Sequence, residues 1–149
     1  MTVHDSEHQQ HQFFIQRLYT KNISFESPNT PAVFQEEWEP ELNLDLNIKH
    51  HQLDKDAYEV VLTVTTHVKN KNKVAFLVEV EQAGIFTIQG TTEEQLEHVL
   101  GSFCPSLLFP YAREVISSEV LRGSFPPLVL SPVNFDAIFL QQKQQQETH

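Results

Sequence analysis

Hydropathy alternates with period two through most of the first half of this chain, a pattern that a sheet with one buried face satisfies and a helix does not. From Phe13 to Glu26, Phe13, Ile15, Tyr19, Ile23 and Phe25 point one way. Gln16, Thr20, Asn22, Ser24 and Glu26 point the other, with Phe14 and Leu18 as apolar exceptions. The strand's length invites a bend or bulge near Arg17 or Lys21, where the apolar face is interrupted. Glu41 to Ile48 alternates without error, setting Leu42, Leu44, Leu46 and Ile48 against Glu41, Asn43, Asp45 and Asn47. Ala57 to Val68 is a third strand, with Tyr58, Val60, Leu62, Val64 and Val68 on one face. Val74 to Ala83 is a fourth, ending at Gly84; Val74, Phe76, Val78 and Val80 oppose Ala75, Leu77, Glu79 and Glu81. His50 to Asp56 reads as a polar turn and Lys69 to Lys73 as a hairpin loop. Sequential strands with short links predict an antiparallel meander.

One connection is not short. Ser27 to Pro40 spans 14 residues and carries Pro28, Pro31 and Pro40, which suit neither a regular helix nor a central strand. Usual loops run about 4–6 residues, and longer ones are often functional. This one holds Val33, Phe34 and Trp38, which either cap the core or serve a surface.

Helical spacing takes over after residue 90. Thr92 and Gln95 form a capping-box pattern ahead of Leu96, Val99, Leu100 and Phe103, and Cys104-Pro105 is expected to end that helix. A second helix, with Pro110 near its first turn, should run to Arg122 and stop at Gly123, with Tyr111, Ala112, Val115, Ile116 and Val120 as an incomplete stripe. A short last helix begins at Asn134 with Phe135, Ile138 and Phe139 inward. Strands first and helices second predict an α+β fold, a four-stranded antiparallel sheet with helices packed on one face. The expected layout is a disordered tail over 1–12, one domain over 13–140 and a disordered Gln-rich tail over 141–149.

The composition excludes more than it proposes. A formal charge of −10 repels phosphate backbones and anionic lipid, so nucleic acid and membrane are poor partners and basic surfaces better ones. A single cysteine, Cys104, allows no intramolecular disulfide and no Cys-rich metal site. No apolar run approaches the ~20 residues of a membrane helix, and residues 1–12 lack a secretory pattern, so a reducing cytosolic home is expected. The four glycines are too scattered for a phosphate loop, and no GxSxG is present. His4, His8 and His11 have ligand spacing but no fourth ligand nearby; His50-His51 sit in a turn, and His98 flanks an apolar stripe. Catalytic residues, metal and cofactor are therefore all expected to be absent. Apolar surface is in surplus, because helices on one side cover only one face of a sheet, while Phe34, Trp38 and the leucine ladder add more. Such a surplus marks an oligomer interface or a binding groove.

Several stretches carry a resemblance. They are QRLYTKNISFESPN at 16–29, YEVVL at 58–62, QAGIF at 82–86, CPSLLFPYARE at 104–114, RGSFP at 122–126 and LSPVNFDA at 130–137. Together they closely resemble the SecB family of bacterial export chaperones, in order, over about residues 13–142. The resemblance implies a homotetramer, a dimer of dimers, that keeps unfolded precursor proteins from folding without using nucleotide and hands them to the motor SecA. It assigns the client groove to Phe34, Trp38, Leu42, Leu44 and Leu46, although the leucines could equally be core. It assigns SecA contact to a flat acidic sheet face at Asn22, Glu26, Leu77 and Glu79, where any zinc belongs to SecA. Position 22 is usually acidic in the family, so Asn22 departs from the pattern. Val78 and Val80 match positions at the dimer–dimer interface or in the core. The alternative function is a general or antitoxin-linked holdase of the same fold.

Overall fold

The computed structural model describes residues 11–147. Its strands are β1 (Gln12–Glu26), β2 (Pro40–Gln52), β3 (Ala57–Asn70) and β4 (Lys73–Gln89), all antiparallel. Helices follow: α1 (Glu93–His98), a π segment (Val99–Phe103), α2 (Cys104–Arg122) and α3 (Phe135–Glu147). The expected strands-then-helices order holds.

The strand order β1-β4-β3-β2 corrects the simple meander. Only β2, β3 and β4 follow one another; β1 lies beside β4, a Greek-key order that needs the long connection between β1 and β2. Lys71 and Asn72, with φ of 52° and 68°, make the tight two-residue hairpin between β3 and β4, whose left-handed pair matches the sheet's twist. Register shifts between Ile15 and Arg17 and between Thr20 and Asn22 place bulges at Gln16 and Lys21. Each bulge resets the alternation of β1, so Leu18 joins the core while Tyr19 turns to the opposite face, against the expected pattern. Gly84 does not end β4. A Cβ there would lie 2.7 Å from the Phe86 ring and 3.0 Å from Leu18, so the glycine makes room inside the strand.

The core lies between one sheet face and the helices. Val60, Leu62, Val64, Val68, Phe76, Val78, Val80 and Phe86 face Leu100, Cys104, Leu108, Ala112, Ile116 and Val120. The helical series steps by four residues, about 40° past one 3.6-residue turn each time, so it drifts around the rod as it crosses the twisted sheet. That drift leaves Tyr111 50% exposed, outside the expected stripe. The capping box at Thr92 and Gln95 is present, with both of its hydrogen bonds made. Cys104-Pro105 does not break the helix. Pro105 has no N–H and crowds the carbonyl one turn back, and the π segment widens the rod to accept it, with the Cys104 N–H donating to Val99 O. The helix α3 runs on to Glu147, so residues 141–147 are helical rather than a disordered tail. Glutamine and lysine are good helix formers, and Lys143 pairs with Glu97 at 3.7 Å while lying over its own Phe139 ring.

Candidate functional site

Five aromatic rings from four parts of the chain (β1, the long connection, β4 and the segment after α2) converge where the connection meets the sheet. Phe125, just past α2, is the hub: its centroid lies 4.8 Å from Phe76, 5.2 Å from Phe34, 5.8 Å from Trp38 and 6.5 Å from Phe25. Phe25 in turn stacks on Phe76 at 5.9 Å. Gly123 lets this happen, because a Cβ there would sit 2.4 Å from the Phe25 ring. Beside the cluster is a cavity of about 110 Å³, walled by Trp38, Pro40, Leu42, Pro126, Pro127 and Leu128 over Val68 and Phe76. Small-molecule sites usually enclose about 300–1,000 Å³. This volume admits a single apolar side chain. Phe34 is 49% and Leu42 44% exposed, while Leu44 and Leu46 are half-buried along the same face of β2. Of the five residues expected to line a groove, Trp38 and Leu42 wall this cavity, Phe34 adjoins it through Phe125, and Leu44 and Leu46 lie further along β2, packed against the core.

The connection is pinned rather than loose. Val33 is buried as its anchor, within a short 3₁₀ turn at Ala32–Gln35. Asn70, fully buried at the end of β3, donates to the Glu37 carbonyl (3.0 Å) and accepts from the Glu39 N–H (2.6 Å). Those two bonds grip the backbone on either side of Trp38. Asn29 donates to the Val74 carbonyl at 2.9 Å, and Lys73 pairs with Glu36 at 3.2 Å.

The opposite face of the sheet is open and carries acids. Across β1 and β4, Asn22 pairs with Glu81, Ser24 with Glu79 and Glu26 with Leu77. Asn22, Glu26, Leu77 and Glu79 therefore share one patch, as expected, with Glu81 added. Thr65 donates to Glu79 at 2.9 Å and orients its carboxylate.

Further along this face, Glu59 is buried yet charged. Tyr19 reaches over Ala83 to donate to it, Lys21 approaches at 3.2 Å and His51 at 3.6 Å. Burial pushes the Glu59 carboxyl up, but the hydrogen bonds from Tyr19 and Lys21 and the charges of Lys21 and His51 together hold it below its usual value. Burial, and then Glu59 itself, push the Tyr19 phenol up to about 12. The cluster ties β1, β3 and β2 together across β4 on the open face.

Other expected residues fall elsewhere. Val78 and Val80 are fully buried in the core of the single chain, so they offer a second copy no surface of their own. Burial pushes the Cys104 thiol up to about 12, which leaves no thiolate for nucleophilic chemistry. His98 is half exposed and bonded to Asp136 at 2.8 Å. His4 and His8 lie outside the described residues; among those described, no three His, Cys, Asp or Glu gather to hold a metal. No described helix is long and apolar enough to cross a membrane.

A family model described as preprotein translocase subunit SecB matches residues 6–146. The chain belongs to the SecB family. The SecB proteins of Legionella pneumophila strains Corby and Philadelphia 1 are 66% and 65% identical to it over 136 residues, covering 91% of this chain and 84% of each relative. Both are described as protein-export proteins. Among solved structures, a SecB-like chaperone of Mycobacterium tuberculosis, in complex with a ChAD peptide from the HigA1 antitoxin, has a TM-score of 0.69 at 19% identity. That match covers 82% of this chain and 91% of the other, and it establishes the fold. SecB is a family of chaperones, not enzymes, and this member is a protein-export chaperone.

Within the SecB fold, two contributors to the aromatic site carry no local signal in the sequence. Phe125 meets Phe34, 91 residues earlier, through tertiary contact alone. Asn70 looked like an ordinary polar hairpin residue, and only tertiary contact reveals its grip on the loop.

Proposed function

We propose that this chain acts in the cytosol as a homotetramer, a dimer of dimers, that holds unfolded precursor proteins without ATP and delivers them to SecA. The observation that supports the reading is that an apolar surface and an acidic one lie on opposite faces of the sheet. The apolar groove at Phe34, Trp38, Leu42, Leu44 and Leu46 opens on the helix side, and the acidic patch at Asn22, Glu26, Leu77 and Glu79 lies on the other. A client segment in the groove leaves the patch clear for a basic partner.

Energetics favour many weak contacts. Burying one large apolar side chain is worth roughly 1.5–3 kcal/mol, too little to hold a chain against its own ordering cost. Several grooves on one particle raise the apparent affinity by effective concentration and require no sequence code. Clients that fold quickly bury their apolar segments and escape, so selection is kinetic. Assembly is supported by apolar side chains the single chain leaves uncovered: Phe14 and Ile23 on the edge strand β1, and Tyr111 and Leu121 on α2, are each 46–56% exposed.

The test is light scattering after size exclusion on a mixture of the chain and a urea-unfolded precursor, followed by SecA. The expected result is a tetramer that carries one precursor and loses it when SecA is added. A monomer that carries none contradicts the reading.

A further inference from the structure

We infer that Glu59 is a positioning residue for the acidic docking patch: it draws the Lys21 ammonium across β4, away from Glu81, and leaves the patch's charge uncompensated. This rests on the docking role proposed above and adds a residue outside the patch that sets its strength. The need for it arises at the second bulge of β1. That bulge leaves Lys21 without a register partner between Thr20 and Asn22, and it puts Lys21 on the same open face as Asn22. Asn22 stands across from Glu81, so the nearest cross-strand counter-ion for Lys21 is a member of the patch. Asn22 is itself uncharged, which leaves Glu26, Glu79 and Glu81 as the patch's carboxylates. A lysine laid on Glu81 would cancel one of those three charges.

The Lys21 side chain goes elsewhere. Its Nζ lies 3.3 and 3.2 Å from the two Glu59 oxygens, reached across β4. Neighbouring strands are about 4.8 Å apart, so a lysine and a glutamate extended toward each other span the two spacings from β1 to β3. Ala83, between Tyr19 and Val61 in the register, presents only a methyl group and leaves the crossing clear. Glu59 is only 7% exposed, accepts the Tyr19 hydroxyl and faces His51 at 3.6 Å. Burial pushes its carboxyl up, but the hydrogen bonds from Tyr19 and Lys21 overcome that, so Glu59 stays ionised and keeps its hold. A carboxylate withdrawn from water is screened less by salt than the acids of an open patch, which favours it in the competition for the shared cation.

Binding of SecA to the full chain, titrated at about 0.1 M salt, tests this. Glu59→Gln keeps the side chain's shape and an acceptor for Tyr19 but loses the charge. It should weaken SecA binding roughly three- to tenfold, and the difference should close at about 1 M salt. Adding Lys21→Met to Glu59→Gln should restore affinity to within about twofold of the unaltered chain, because no ammonium is left to fall on Glu81. A merely structural role for Glu59 gives no such rescue. Lys21→Met alone should also stay within about twofold. Unchanged binding in Glu59→Gln, or a loss that Lys21→Met does not repair, overturns the inference. So does a rise above about threefold in Lys21→Met alone, which would mean the ammonium already lay on the patch. If Glu59→Gln does not fold, Lys21→Met decides together with amine acetylation of the unaltered chain. Lys21 should then react several-fold more slowly than Lys49 on the same face, and equal rates overturn the inference. Failure of the unaltered chain to bind SecA would instead overturn the docking role, which separates the two claims.

Discussion

Phe25 and Glu26, neighbours in β1, face opposite sides of the sheet and belong to the two different surfaces of this molecule. The Phe25 ring stacks on Phe76 at 5.9 Å within the aromatic cluster, whereas Glu26 stands across from Leu77 on the acidic face. One strand thus backs the aromatic cluster on one side and carries part of the acidic patch on the other.

The double variant Glu26→Lys with Glu79→Lys reverses the patch without touching the groove. It should abolish binding to SecA and leave holding of an unfolded client intact, as read by pull-down and by client capture. For the unaltered chain, raising salt from about 0.1 M, where charges act over roughly 10 Å, to 1 M should weaken the SecA contact. Loss of both activities together in the double variant would contradict separate sites.

Leu42 is 44% exposed, so its contribution to stability is small while its place on the cavity wall is direct. Replacing it by serine should lower stability by less than about 1 kcal/mol, measured by urea unfolding. Client affinity should fall several-fold more than that loss explains, because repeated grooves multiply each local defect.

Asn70→Ala removes the grip on both sides of Trp38 and leaves the Glu39 N–H and Glu37 carbonyl without their partner. A loss of about 1–3 kcal/mol is expected in denaturant unfolding. Trp38 fluorescence should shift red as its loop loosens, a change that a general loss of sheet stability below the unfolding transition does not produce.

The Tyr19–Glu59 pair predicts opposite trends at the two ends of the pH scale. Tyr19 has its pKa raised to about 12 in the folded chain, so its contribution is complete below about 10, the unfolded value, and is lost as pH rises between the two. Glu59 has its pKa lowered, so its contribution is present above the ordinary carboxylate range and is lost as pH falls through the lowered value. Tyr19→Phe should be less stable at pH 8 by on the order of 1 kcal/mol and should flatten the alkaline decline between pH 10 and 12. An unchanged alkaline slope would show that other groups govern it.

Much of this architecture is legible in the residue order, and the gaps have physical causes. Alternation, without error in β2 and broken in β3 by Thr66 and Val61, reports a local property, the two sides of a pleated strand, and it needs no knowledge of partners. The bulges at Gln16 and Lys21 were visible as interruptions, but how they would hand Leu18 to the core and Tyr19 to the open face was not. Gly84 resembles a stop because its real role, space for Phe86 and Leu18, is tertiary. Pro105 resembles a helix end because the π turn that absorbs it leaves no composition mark. The pairing of β1 with β4 was hidden for the same reason. Hydropathy says which face is buried, not which neighbour covers an edge.

The groove and the patch divide in the same way. Leu77, Glu79 and Glu81 share a face by alternation alone, whereas Glu26 joins them only through the pairing of β1 with β4, which hydropathy does not show and the family resemblance supplied. Phe34 and Trp38 could be singled out as unusual for a loop, but Phe125, which gathers them, lies 87 residues after Trp38. Their meeting depends on the whole fold.

The account depends most on apolar side chains, accessible in the assembled particle, that capture a guest before it folds. Refolding of a slowly folding precursor, diluted from urea and followed by its own fluorescence, measures this directly. With one tetramer per precursor the recovery of native signal should stall, and with the Trp38→Ala, Leu42→Ser variant it should return toward the spontaneous rate. Refolding at the spontaneous rate in the presence of excess unaltered chain would contradict the account.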